Sequence, residues 1–160
     1  MLKLSKITDY GVVILGQLPH DGTSLRSAAD LATVTGVPEP TVAKTLKMAA
    51  KSDLVIGHRG ASGGYRLARH PNNISVAEII EAFEGPIALT ACVDGSTESC
   101  AVETLCPMRD NWATVNQAIR AALSSVTLSD MIVGTVADGI PEIFRDPAER
   151  AAKPLLSAAE

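Results

Sequence analysis

Residues 53–69 read DLVIGHRGASGGYRLAR. Leu54, Val55 and Ile56 are strand formers, GASGG at 60–64 supplies a flexible tip, and Tyr65 to Leu67 can return as a second strand. The stretch predicts a β-hairpin with basic residues at its tip and flanks, His58 and Arg59 among them. What such a hairpin belongs to depends on the elements before it.

Upstream, Ile7, Tyr10, Val13, Ile14 and Leu18 fall mostly three and four residues apart, which predicts a helix with one buried face, ended by PHDG at 19–22. A second, short helix starts at Ser27, an N-cap with Asp30 three positions on, and stops at Gly36, where a positive φ is easily placed. A third begins near PEPT at 38–41, because Pro38 and Pro40 are tolerated only before or within a first turn, and runs through VAKTLKMAAK. Three helices followed by a two-stranded hairpin is the order of a winged helix-turn-helix. The predicted fold class is mainly α with a small β-hairpin wing.

Downstream, SVAE at 75–78 is a capping box, and Val76, Ile79, Ile80 and Phe83 form the apolar stripe of a helix that Gly85 and Pro86 end. The stretch ACVDGSTESCAVETLCP at 91–107 follows, holding all three cysteines, Cys92, Cys100 and Cys106. Beyond it Met108, Trp112, Val115, Ile119, Ala122 and Val126 recur at 4, 3, 4, 3 and 4 residues, a heptad seam. A 3.5-residue period suits a partner helix, so a homodimer helix is expected over one packed within its own domain. After Gly139 the composition turns to Pro, Ala and charge, which reads as a weakly ordered tail. The expected organisation is a DNA-binding unit over 1–85, a cysteine loop over 86–107, a long dimerisation helix and a short following helix over 108–134, and the tail over 135–160.

The net charge of -4 hides an asymmetry. Residues 1–70 carry nine Lys and Arg against five acids, net +4, and the remainder five against thirteen, net -8. Such a split suggests a basic module that meets an anion and an acidic remainder with another task. At ~100° per residue, Val42, Leu46 and Ala49 share one side of the third helix, and Lys44, Lys47 and Lys51 fall opposite, with Thr41 near its N-terminal end. A recognition helix needs its N-terminal side chains in the major groove and flanking positive charge. Arg59, set among glycines, is what a wing needs to enter a narrow, electronegative minor groove. The alternative for the glycine-rich tip, a nucleotide phosphate, would need a helix N-terminus to follow it, whereas a strand follows. No membrane span or secretory signal is read in the chain, so a cytoplasmic location is expected.

The motifs LSKITDYGVVIL, the helix-turn-helix, RGASGGYRLAR, ISVAEIIEAFEG, the three cysteines and VTLSDMI together resemble the IscR/NsrR family of winged-helix regulators that sense iron-sulfur clusters or nitric oxide. The resemblance covers roughly residues 1–134 and is strongest to regulators of the SUF iron-sulfur assembly operon in proteobacteria. It implies a dimer that binds palindromic operators on double-stranded DNA and carries an iron-sulfur cluster, two-iron or four-iron, on Cys92, Cys100 and Cys106. Family members commonly space the cysteines C-x(5)-C-x(5)-C, and here the spacing is C-x(7)-C-x(5)-C. The longer first loop is cheap to close. Some members use a histidine three residues after the last cysteine, a position held here by Arg109, which cannot be that ligand. Others take an aspartate from the first helix of the partner subunit, and the matching residue in KITDYG is Asp9.

Thiolates are the usual ligands of such clusters, and three of them leave one iron site for a different ligand. An oxygen ligand such as Asp9 is weaker and easily displaced, which a sensor needs; alternatively Asp9 caps a first turn. Zinc is a competing metal, but His20, His58 and His70 all lie in the basic module and none near the cysteine loop. A metal-free thiol switch is a third reading, with Arg109 and a helix N-terminus near Cys106 to lower a thiol pKa. A protein-interaction module without DNA binding and an enzyme are the readings of other classes; no base suited to orient a cysteine nucleophile is evident.

Overall fold

The computed structural model describes residues 3–20, 24–60, 62–93, 96, 100 and 106–132. Helices α1 (Lys6–Gly16), α2 (Ala28–Thr35) and α3 (Glu39–Lys51) precede an antiparallel hairpin of β1 (Val55–His58) and β2 (Gly64–Leu67). A 3-10 turn (Pro71–Asn73), α4 (Val76–Glu84), α5 (Arg109–Ser124) and α6 (Leu128–Ile132) follow. The expected tail at 135–160 and the last two residues of the 108–134 unit lie outside the described residues.

The starts and stops follow local chemistry. Ser27 caps α2 in a capping box with Asp30, and Gly36 closes it at φ 71°. Glu39 and Pro40 open α3 behind Pro38. Ser75 and Glu78 form the second capping box, at α4. In the hairpin Val55 pairs with Leu67 and His58 with Gly64. Arg26 adds a single antiparallel bridge, its N–H donating to the Tyr65 carbonyl at 3.0 Å and its carbonyl accepting from the Tyr65 N–H at 2.8 Å. A Cβ on Gly64 would sit 2.9 Å from the Arg26 oxygen, so this approach requires glycine. The bridge ties the wing to the start of α2.

The core lies between α1, α3, α4 and the base of the hairpin, with Ile14, Leu15, Leu31, Leu46, Leu54, Leu67, Ile79 and Leu128 fully buried. On α1 the buried face is rotated from the expected one. Thr8, Gly11, Ile14 and Leu15 are inside, Ile7 and Tyr10 are half-buried, and Val13 is 44% exposed. Two interactions that apolar periodicity cannot register cause the rotation. The Phe83 ring of α4 lies where a Cβ on Gly11 would be, and the Thr8 hydroxyl donates to Glu84 Oε1 at 2.5 Å.

The heptad seam on α5 divides. Ile119, Ala122 and Val126 are half-buried within the chain, whereas Met108, Trp112 and Val115 are 50%, 42% and 43% exposed. Arg120 pairs with Glu81 of α4 at 2.9 Å. The α5–α6 junction is stitched to the start of α4, the Val76 N–H donating to the Val126 carbonyl and the Leu128 N–H to the Ile74 carbonyl, each at 2.8 Å. Among the described residues no helix is long and apolar enough to cross a membrane.

Gly11→Ala is expected to destabilise the fold by about 1–3 kcal/mol, the cost of overpacking a filled site. Chemical denaturation checks this, and Phe83→Leu in the same chain should recover part of the loss.

Candidate functional site

On α3 the buried residues are Val42, Thr45, Leu46 and Ala49, which leaves Lys44, Lys47 and Lys51 exposed along the opposite side. Thr41 is half-buried in the first turn, its carbonyl accepting from the Thr45 hydroxyl at 2.8 Å. His58 and Arg59 are exposed at the wing. Between them and the start of α2 lies a concavity of about 400 Å³, lined by Ser27, Ala28, Arg59 and Tyr65 among others. The remaining basic residues of the hairpin region are engaged within the chain. Arg66 donates to the Leu67 carbonyl at 3.2 Å, and Arg69 pairs with Glu78 at 2.9 Å. Lys44, Lys47, Lys51 and Arg59 form no ion pair among the described residues. Exposed positive charge without an ion pair among the described residues is thus present on α3 and the wing tip, the two elements that phosphate and groove contacts require, as well as at Lys3 and Lys6 around the start of α1.

The cysteine segment begins where α4 ends. Cys92 is buried, with its Sγ 3.3 Å from the Thr90 hydroxyl; Cys100 and Cys106 are half-buried, and all three are free thiols. Residues 94–95, 97–99 and 101–105 lie outside the described residues. Among those described, no three His, Cys, Asp or Glu side chains gather, so Cys92, Cys100, Cys106 and Asp9 are not brought together within one chain. The donor set fits an iron-sulfur cluster chemically, as three unpaired thiols on one connection between helices. Asp9 is exposed on α1 and does not cap it; the Ser5 hydroxyl does, accepting from the Thr8 N–H. Asp9 lines a groove of about 430 Å³ with Leu4, Val13, Ile80, Met131 and Ile132, of which Leu4, Val13, Met131 and Ile132 are exposed apolar side chains.

Two polar residues anchor the segment, and neither stood out in the sequence. Glu84, the last residue of α4, accepts from the Ser5 N–H at 2.7 Å and from the Thr8 hydroxyl, placing a carboxylate at the positive end of α1. The Thr8 hydrogen bond and then the Ser5 N–H hold its carboxyl below the usual range. Asn116 of α5 accepts from the Leu89 N–H at 3.0 Å and donates to the Ile87 carbonyl at 3.0 Å. Its one sequence signal was a polar side chain flanking the apolar stripe, one position after Val115.

A compact three-helix unit, a bridged hairpin wing and an outward basic third helix define a winged helix-turn-helix DNA-binding protein. The sequence model of the Rrf2 family, described as an iron-dependent transcriptional regulator, matches residues 4–134, and the chain belongs to that family. It is 30% identical over 117 residues to an rrf2-like HTH-type transcriptional regulator of Rhodobacter capsulatus, covering 71% of this chain and 78% of the relative. Among solved structures it is similar to CymR, the global cysteine regulator of B. subtilis, at TM-score 0.63 and 28% identity over 83% of this chain and 98% of that one. It is also similar to IscR of T. potens at TM-score 0.57 and 31% identity, over 82% and 87%. The protein is a transcriptional regulator and not an enzyme.

Glu84 contributes stability that is complete above the ordinary carboxylate range and is lost as pH falls through its lowered folded value. Glu84→Gln should therefore be less stable than the parent at neutral pH, with the difference closing in acid. Urea midpoints measured across the acidic range check this.

Proposed function

We propose that the protein is a cytoplasmic homodimer that binds palindromic operators on double-stranded DNA and reports iron or redox state through an iron-sulfur cluster held by Cys92, Cys100 and Cys106. Thr41, Lys44, Lys47 and Lys51 serve the major groove and its flanking phosphates, and His58 and Arg59 the minor groove. Regulation of iron-sulfur assembly genes, as by the SUF operon regulators that the sequence resembles, is the task that fits such a sensor. The bound cluster, two-iron or four-iron, supplies an iron centre open to attack by oxygen or nitric oxide.

The observation that carries this reading is the presence of two unpartnered apolar surfaces on one chain, each beside a ligand candidate. The groove on α1, α4 and α6 has Asp9 on its lining. The exposed stripe of Met108, Trp112 and Val115 begins two residues after Cys106. Seating the stripe of one subunit on the groove of the other covers both and directs the cysteine segment toward Asp9 of the partner subunit. This arrangement is isologous, as closed dimers require. It also favours Trp112 over the half-buried Ile119 as the probe of dimerisation.

Binding can be measured on a duplex selected from random sequence by the parent protein. Lys44→Ala should weaken specific and non-specific binding alike and lower the salt slope by about one. Arg59→Ala should lose most on sites with a narrow A/T-rich minor groove. Variants that bind every duplex like the parent would make the module a protein-interaction surface.

Trp112→Asp should give a monomer by light scattering. Because the fourth ligand comes from the partner, its cluster should decay in air as fast as that of dimeric Asp9→Ala, and both faster than the parent. Parental cluster lifetimes in both variants would remove Asp9 from the ligand set.

A further inference from the structure

α5 buries one residue among those described, and it is polar: Asn116, 7% exposed. A buried amide is costly unless bonded, and an apolar side chain there would pack without that cost. Both of its functions are used, and neither bond goes to a helix. Oδ1 accepts from the Leu89 N–H and Nδ2 donates to the Ile87 carbonyl, both backbone groups of the cysteine segment, with Leu89 three residues before Cys92. Arg120 one turn on holds α5 to the body differently, through Glu81 of α4.

The two attachments therefore divide the work. Arg120 docks α5 on α4, whereas Asn116 docks it on the segment that carries the thiols. Two bonds from one planar amide fix direction as well as distance, so a displacement of residues 87–89 either carries the helix with it or breaks both bonds. Trp112 and Val115, one turn before Asn116 and beside it, are exposed on the same helix. The cysteine segment and the proposed dimer stripe thus meet at a single turn of α5, and in a two-fold dimer the placing of that helix sets the separation of the two recognition helices.

We propose that Asn116 is the positioning residue through which the state of the cysteine segment reaches the dimer helix and so the DNA affinity; this rests on the sensing reading above. The segment has to hold residues 87–89 differently with and without the cluster, since only differential contacts couple two sites.

The test compares cluster-loaded and stripped protein on the selected duplex, with dimer mass and cluster content measured alongside. In Asn116→Ala and in the near-isosteric Asn116→Asp, which keeps an acceptor for Leu89 and loses the donor to Ile87, the ratio of loaded to stripped affinity should move about tenfold toward one. Arg120→Ala should keep the parental ratio. Parental ratios in both Asn116 variants overturn the proposal, as does an equal loss in Arg120→Ala, which would make the effect one of general docking. Amide exchange in the parent needs no variant to fold: the Leu89 N–H should lose protection when the cluster is stripped, and unchanged protection contradicts the proposal. A parent that binds DNA equally in both states overturns the sensing reading together with it, whereas a responsive parent with responsive Asn116 variants overturns the proposal alone.

Discussion

Phe83 lies against the side of α1 that has no side chain at Gly11, and this contact sets how α4 crosses α1. One residue on, Glu84 caps the first turn of α1 through Ser5 and Thr8. The ring supplies apolar burial and the carboxylate supplies direction, since a charge at a helix N-terminus is favourable only at that end. With α4 fixed on α1, α3 is packed from below with its lysines outward, and the cysteine segment leaves from a defined point. Asp9, one residue past Thr8, is turned to the groove by the same contact that buries Thr8.

Charge is organised in the same way. A chain with net charge -4 presents a DNA-binding face because α3 and the wing tip carry exposed bases while acids such as Asp30 and Glu78 are engaged in local bonds. Asp30 is held by Ser27 and Glu78 by Ser75 and Arg69 in helix caps, while Lys44, Lys47, Lys51 and Arg59 stay exposed. Arg66 and Arg69 carry the same formal charge and are turned to structural contacts, which a count of basic residues does not reveal.

Much of the fold was legible because its signals are local. The caps at Ser27 and Ser75, the stop at Gly36, the proline start of α3 and the period change at Leu54 each depend on a few adjacent residues, and each element lies where those residues put it. The face of α1 was misjudged because Gly11 and Thr8 are inside for reasons supplied by α4, some seventy residues away. The heptad stripe was legible as apolar surface but not as two half-stripes with different neighbours, since periodicity does not distinguish a helix in the same chain from one in another. Of the candidate site, residue types and spacing were readable; Glu84 and Asn116 were not, because each acts on backbone distant in sequence.

The central claim is that Cys92, Cys100 and Cys106 hold an iron-sulfur cluster in a winged-helix dimer. Anaerobic purification followed by iron and acid-labile sulfide analysis with visible absorption tests it most directly. Cluster ligation predicts a coloured protein with iron and sulfide in equal amounts, both lost when Cys92, Cys100 or Cys106 is replaced by serine. A colourless protein, whether metal-free with reversible thiol oxidation or carrying stoichiometric zinc, would contradict it.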